Sequence, residues 1–165
     1  MTKSCDGCTQ CCKSMGVAEL KKRPGVWCTE CNIGKSCKIY DTRPISCMDF
    51  ECLWLTTQRT DVPLPDALRP DRCKVVIAPT TDPSVISVHV DAGYRDAWKR
   101  PDVYRLLGLM ADTGVKVVIG WGADRLKKMM YRVSKGVIAF RTIQMSEANA
   151  DGMQWFEGDD DEVLR

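Results

Sequence analysis

Beyond residue 73, β-branched and other apolar residues come in short runs separated by turn residues, and this pattern predicts β-strands. The runs that predict strands are 74–79, 85–91, 116–121, 128–133 and 136–142. The turn T-T-D-P-S joins the first two runs and Ser134-Lys135-Gly136 joins the last two, so two hairpins are expected. The run between them supplies a fifth strand.

One longer helical pattern interrupts the strands. Pro101 suits the first turn of a helix Pro101–Thr113, and Gly114 suits its end. The apolar stripe of this helix is Val103, Leu106, Leu107 and Met110. A shorter helix is expected at Tyr94–Trp98. The order β-β-α-β-β-β is typical of an α+β fold in which one helix covers a small sheet.

The first 58 residues show neither pattern. Isolated apolar residues alternate with turn residues there, so this part can bury little surface and needs another source of order. Phe50, Leu53, Trp54 and Leu55 are the exception, and we expect them to seat this part on the sheet. One helical turn is predicted within residues 16–26.

These patterns divide the chain into four regions. They are a cysteine-rich region 1–58, a proline-rich joint 59–73, a small α+β region 74–144 and an acidic tail 145–165. The three prolines of the joint predict a stiff segment packed on the surface rather than a free hinge. The tail carries E-G-D-D-D-E, which predicts a solvated or disordered end.

Nine of the ten cysteines lie between Cys5 and Cys52, beginning with C-D-G-C-T-Q-C-C at 5–12. A two-residue gap lets two thiolates turn onto one ion, so the spacing predicts metal sites. The N-terminus lacks the apolar core of a signal peptide, which favours a reducing compartment and metal binding. Disulfide pairing is the alternative.

Nine thiols exceed the four ligands of one tetrahedral site, so two four-thiolate sites are predicted. Adjacent Cys11 and Cys12 point in different directions and would serve two ions or two sides of a binuclear centre. The eight predicted ligands are Cys8, Cys11, Cys12, Cys28, Cys31, Cys37, Cys47 and Cys52. Cys5 is a spare that could join them, because terminal residues fray. Cys73 is expected to be a small buried apolar residue.

All-sulfur coordination suits zinc or an iron–sulfur cluster, and the spacing does not separate the two. Two zinc ions are the first expectation, and an iron–sulfur cluster is the alternative. Arg43 and Tyr40 are predicted to lie behind the thiolates, where a guanidinium offsets negative charge. A plain salt bridge is the alternative for Arg43. His89 is predicted to be an ordinary strand histidine rather than a ligand.

The cysteine motifs resemble those of the YkgJ-like cysteine-cluster family. The resemblance rests on C-D-G-C-T-Q-C-C, W-C-T-E-C and S-C-K-I-Y-D-T-R-P-I-S-C-M-D-F-E-C-L-W, and extends through L-P-D-A-L-R-P-D-R-C-K-V-V-I and V-D-A-G-Y-R-D-A-W to about residue 120. The family is described as a zinc- or iron-chelating domain, so the resemblance implies metal binding. This chain has Thr9 where many members have glycine, a difference that concerns the turn more than the ligands.

Composition and charge exclude several classes of protein. The chain has 24 basic and 22 acidic residues, and neither half shows the basic excess of a nucleic-acid binder. No apolar run approaches the ~20 residues of a membrane helix. Nucleotide-binding and nucleophile-elbow glycine motifs are absent, and no catalytic Cys/His pair is readable, so no enzymatic activity is predicted.

The sequence therefore predicts a cytoplasmic metal-binding protein whose clustered cysteines hold two structural zinc ions and which acts as a protein-interaction or structural module. Its protein partner is not identified by the sequence, and neither nucleic acid nor membrane is expected. An iron–sulfur redox or electron-transfer protein is the alternative. A component of a larger phage or virion assembly is the second alternative.

Overall fold

The computed structural model describes Cys5, residues 7–145 and the backbone of the strand 155–164. The α-helices among these residues are α1 (Gln10–Ser14), α2 (Ile45–Met48), α3 (Leu53–Thr57), α4 (Pro70–Cys73) and α5 (Pro101–Asp112). The strands are β1 (Cys31–Asn32), β2 (Ser36–Cys37), β3 (Val75–Pro79), β4 (Val85–Val90), β5 (Lys116–Trp121), β6 (Leu126–Ser134), β7 (Val137–Met145) and β8 (Trp155–Leu164). Single 3₁₀ turns lie at Ala18–Leu20, Tyr40–Thr42, Asp66–Leu68, Ala92–Tyr94 and Ala97–Lys99.

Six strands form the main sheet in the order β3-β4-β5-β6-β7-β8. Neighbouring strands are antiparallel except β4 and β5, which run parallel because α5 carries the chain from one to the other. Both predicted hairpins are present, as β3–β4 and β6–β7. The predicted α+β class and the order β-β-α-β-β-β are therefore confirmed, with one strand added at the end.

The additional strand corrects the prediction for the acidic tail. Residues 155–164 form β8, which pairs antiparallel with β7 from Ile138↔Leu164 to Met145↔Trp155. An edge strand leaves backbone groups unpaired, and an extended segment can satisfy them whatever the charge of its side chains. Residues 146–154 of the predicted tail lie outside the described residues.

The predicted helix at Tyr94–Trp98 is also wrong in detail, because two 3₁₀ turns, at Ala92–Tyr94 and Ala97–Lys99, replace it. Asp91 begins the first turn and accepts a hydrogen bond from Gly93 N. Pro101 opens α5 as predicted. The chain therefore makes a tight turn directly after Asp91 and a second one before Pro101, instead of one helix.

The main core lies between the sheet and α5. Val103, Leu107 and Ala111 of α5 are fully buried against the apolar face of the strands. Cys73 is 2% exposed in the same cluster, so its predicted role as a small buried apolar residue is confirmed. Leu53 packs against this cluster and Trp54 is buried, so α3 seats the cysteine-rich region on the sheet as expected.

The proline-rich joint is packed rather than free. The Trp54 indole donates to the Pro65 carbonyl at 3.3 Å, and the Gln58 amide donates to the Leu64 carbonyl at 3.0 Å. Pro70 is buried at the start of α4. None of the described helices is long and apolar enough to cross a membrane.

The opposite face of the sheet holds a half-buried histidine. His89 on β4 contacts the Ser87 hydroxyl through Nε2 at 2.8 Å, which confirms that it is a satisfied strand histidine. Its parallel partner on β5 is Gly120, and the Lys127 side chain occupies the space where a Cβ of residue 120 would lie. Burial, together with the Lys127 charge, lowers the pKa of His89 to about 4.

This depressed pKa predicts an acid-dependent loss of stability. The folded state holds His89 neutral, so the stabilisation is complete above the unfolded pKa near 6.5 and is lost as pH falls towards 4. The difference corresponds to at most about 3 kcal/mol. Unfolding by urea at pH 7 and pH 4.5 should show a smaller acid loss in His89→Gln than in the wild type. Equal losses in both proteins would contradict the prediction.

Candidate metal centre

Eight of the nine clustered cysteines line a single cavity of about 460 Å³. They are Cys5, Cys8, Cys11, Cys12, Cys28, Cys37, Cys47 and Cys52. The ninth, Cys31, is buried directly behind them, and its thiol forms a hydrogen bond with that of Cys12. All eight cysteines that the sequence predicts as ligands therefore lie at or directly behind this cavity, and Cys5 lies there too.

Short backbone turns bring the cysteines together. Cys8 N donates to Cys5 O at 2.8 Å, and Cys31 N donates to Cys28 O at 3.1 Å, so each two-residue gap closes into a turn. Cys28 N donates to Cys12 O at 3.0 Å and ties the second cysteine pair to the first group. Turns of this kind direct successive thiols to one side of the chain, as a metal site requires.

The hairpin β1–β2 places Cys31 directly opposite Cys37. The loop of this hairpin is held by Thr9, whose hydroxyl accepts a hydrogen bond from Gly34 N at 2.9 Å. The Thr9 side chain is buried and also forms a hydrogen bond with the Cys31 thiol. The threonine that departs from the family motif thus has a local structural role.

The thiols fall into two neighbourhoods. Cys5, Cys8 and Cys52 interact with one another, and we call them the three-thiol group. The six-thiol group consists of Cys11, Cys12, Cys28, Cys31, Cys37 and Cys47. Adjacent Cys11 and Cys12 form a hydrogen bond with each other in this second group.

Burial and mutual contact raise the pKa of five of these thiols and so favour their protonated form. Burial raises the pKa of Cys5 and of Cys31 to about 11. The hydrogen bond with Cys11, together with burial, raises the pKa of Cys12 well above its ordinary range. Burial also raises the pKa of Cys47 and Cys52. A cation entering the cavity would have to displace these protons, which is how thiolate sites take up metal.

Two cationic side chains, Lys22 and Arg69, lie beside the thiols. The Lys22 ammonium donates to the carbonyls of Lys13, Met15 and Arg23, and its charge faces the six-thiol group. The Arg69 charge faces Cys5. Neither residue carries a sequence signal that marks it, since both reach the cysteines through the tertiary fold.

The predicted residues Arg43 and Tyr40 line the same cavity. The Arg43 guanidinium stacks on the Tyr40 ring at 3.8 Å and donates to the Tyr40 carbonyl at 3.1 Å. This arrangement fixes the guanidinium on the ring at the cavity wall. It does not pair with a carboxylate in any described ion pair, so the plain salt bridge is not what the described part of the chain shows.

The chemistry of the donor set suits a thiophilic metal. All ten cysteines are free thiols, and none is joined to another in a disulfide. Within residues 5 and 7–145, no group of three or more His, Cys, Asp or Glu side chains has closed into the geometry of a metal site. The cysteines surround a cavity rather than a point, so binding would draw the thiols inward.

A buried polar contact attaches the cavity wall to the sheet. Asp91, at the end of β4, accepts hydrogen bonds from Lys13 at 2.7 and 2.9 Å and from Gln10 at 2.9 Å. Gln10, Ser14 and Asp91 are each at most 4% exposed. Because Gln10 and Lys13 flank Cys11 and Cys12 on α1, this contact fixes the position of two cysteines relative to the sheet.

A second attachment is a close approach of two backbone segments. Gly25 lies so near Gly122 that a Cβ on Gly25 would stand 3.0 Å from the Gly122 Cα. Both glycines have positive φ, at 82° and 49°. A side chain at Gly25 would therefore push the cysteine-rich region away from the turn that follows β5.

Searches of protein-family models, curated proteins and solved structures find no match to this chain. Membership of the cysteine-cluster family remains a prediction from the quoted motifs.

Proposed function

We propose that this chain is a metal-binding protein in which the clustered cysteines hold two structural zinc ions. The observation that carries the proposal is the convergence of nine thiols on one cavity in a region with almost no apolar core. Between Cys5 and Cys52, the buried apolar residues are Val17 and Cys31. A region built in this way gains its order from bound metal, because the free energy of ion binding becomes free energy of folding.

Two ions match the number and grouping of the thiols. One tetrahedral zinc takes four ligands, so nine thiols are more than one site needs and are enough to fill two. The three-thiol group and the six-thiol group each supply the majority of one coordination sphere. On this proposal Cys5 is a ligand, and the ligand set becomes larger than the eight cysteines that the sequence favoured.

Nearby cations support thiolate coordination. Four thiolates around one zinc ion leave an excess of two negative charges, which neighbouring cations stabilise. Lys22 supplies one such charge to the six-thiol group, and Arg69 supplies one to the three-thiol group. Arg43, stacked on Tyr40, supplies a third at the cavity wall.

We infer a structural or protein-interaction role rather than catalysis. A zinc ion with four thiolates has no open coordination position at which a substrate could react. The mouth of the cavity instead presents exposed apolar side chains, among them Leu20, Tyr40 and Met48. Exposed apolar residues grouped in this way are typical of a surface that contacts another protein.

Elemental analysis of anaerobically purified protein tests the proposal. The expected result is a colourless protein with about two zinc ions per chain and no acid-labile sulfide. Iron with sulfide and broad visible absorption would establish the iron–sulfur alternative and overturn the zinc proposal. Protein that carries neither metal, and that takes up none when titrated with zinc, would overturn metal binding altogether.

A further inference from the structure

A second cleft, lined by no cysteine, lies on the main sheet. It follows the carboxyl ends of the parallel strands β4 and β5, an edge at which ligands commonly bind in sheets with parallel strands. Its volume is about 470 Å³, within the range of small-molecule sites. Its lining includes Trp98, Trp121, Phe140, Arg95, Lys99 and Lys128.

Aromatic rings form the floor of this cleft. The ring centroids of Trp98 and Phe140 are 5.6 Å apart in an edge-to-face arrangement, and Tyr104 lies 6.2 Å from each of them. Trp121 is held in place by its indole N–H, which donates to the Arg95 carbonyl at 2.8 Å. Trp98 and Phe140 are at most 8% exposed, so the partly exposed ring of Trp121 is the flat apolar surface on which an aromatic ligand could stack.

Cationic side chains border the same floor. The Arg95 guanidinium lies 5.2 Å from the Trp121 ring centroid, and the Lys99 ammonium lies 5.6 Å from that of Trp98. Arg95 pairs with Asp124 at 3.0 Å and Lys99 pairs with Asp96 at 2.7 Å, so these two charges are already neutralised. Asp96 is the carboxylate in the cleft wall, and its charge is matched by Lys99.

Lys128 is the exception among these cations. It pairs with Ile119 across β5–β6, and so it rises from the apolar face of the sheet that carries Phe140. Its ammonium donates to the Thr142 hydroxyl at 2.9 Å, and no carboxylate among the described side chains forms an ion pair with it. A lysine at an inward-facing strand position is costly, so a role in binding an anion would explain its placement.

We propose that this cleft binds a small ligand made of a flat aromatic group joined to an anionic group, the chemistry of a nucleoside monophosphate. The aromatic group stacks on the partly exposed Trp121 ring, and the anionic group pairs with the Lys128 ammonium. This inference does not depend on the metal proposal, because none of the cleft residues is a cysteine or touches one of the two thiol groups.

Calorimetric titration of the metal-loaded protein as purified tests the inference, with AMP as the probe. Adenosine and inorganic phosphate serve as partial probes that carry only one of the two groups. We expect AMP to bind at least tenfold more tightly than either of them. Equal binding of AMP and adenosine would overturn the anionic half of the proposal, and equal binding of AMP and phosphate would overturn the aromatic half.

Two matched variants assign the binding to this cleft. Lys128→Met keeps the length of the side chain on an apolar face, so it is expected to fold and to bind AMP about tenfold more weakly while binding adenosine unchanged. Lys135→Met removes an equal charge from the β6–β7 turn and should bind AMP like the wild type. Weakening by Lys135→Met, or AMP affinity unchanged in Lys128→Met, would overturn the proposal.

Discussion

Replacing Cys12 by serine is expected to remove at least one metal ion and to unfold the cysteine-rich region while the main sheet persists. Cys12 contacts Cys11 and Cys31 and lies near Cys47, so its loss affects the centre of the six-thiol group. Structural zinc contributes about 10–16 kcal/mol in small zinc-folded peptides. This exceeds what the sparse apolar core between Cys5 and Cys52 can replace.

Metal content and hydrogen exchange together measure this effect. In Cys12→Ser, we expect fewer bound ions and fast amide exchange in peptides from residues 7–52, with protection retained in β3 to β7. Treating the wild type with a chelator should reproduce the same exchange pattern. Retention of both ions and of normal protection in the variant would refute the assignment of Cys12 as a ligand.

Cys73→Ala is the matched control for a cysteine outside the cavity. Cys73 is 2% exposed, packs in the core beneath α5 and does not line the cysteine cavity. Losing one sulfur from a packed core costs about 1 kcal/mol. This variant should therefore lose some thermal stability, keep its full metal content and keep its exchange protection in residues 7–52.

Strands β3 to β7 of the sheet were predictable because each carries its own local signal. The β-branched runs of β3, β4 and β5 and the Ser134-Lys135-Gly136 turn are local features, and the structure reproduces them. β8 has no such signal, since acidic residues fill it and only the open edge of β7 explains its pairing. Composition therefore predicted a tail where tertiary pairing forms a strand.

Convergence of the cysteines was predictable for a similar reason. Two-residue gaps close into turns wherever they occur, so the pairs that begin at Cys5 and Cys28 could be recognised from spacing alone. Their grouping could not be predicted, because Cys52 reaches Cys5 and Cys8 only after the chain has folded back through α2. Lys22 and Arg69 could not be predicted for the same reason, because they approach the cysteines only in the folded chain.

Asp91 was also missed, although it is the most buried carboxylate among the described residues. In the sequence it is only the residue that follows a β-branched run. Its importance comes from α1, which lies far away in the chain and brings Lys13 and Gln10 onto it. A buried charge pair of this kind joins two segments that are distant in the sequence, so no local pattern predicts it.

Asp91→Ala is expected to destabilise the protein by about 3–5 kcal/mol, since it leaves Lys13 and Gln10 facing a buried site without their acceptor. Thermal or urea unfolding measures the loss, and Asp124→Ala is the control. Asp124 pairs with Arg95 at an exposed site, so its removal should cost less than about 1 kcal/mol. Similar losses in the two variants would show that the buried contact of Asp91 contributes no more to stability than an exposed ion pair does.

The pH dependence of the unfolding free energy distinguishes the contribution of the Asp91 charge from that of the side chain's shape. Burial alone would raise the pKa of Asp91, but hydrogen bonds from Lys13, Gln10 and Gly93 N outweigh burial and hold the pKa below its ordinary value. Its stabilisation is therefore present above the unfolded pKa of about 3.9 and is lost as pH falls through the lower folded value. Asp91→Asn keeps the shape without the charge, so its unfolding free energy should change less below pH 4 than that of the wild type.

Because Asp91 holds α1, and α1 carries Cys11 and Cys12, the alanine variant should also bind metal more weakly at pH 7. Unchanged metal affinity in a destabilised Asp91→Ala would show that the sheet is not needed to position the two cysteines.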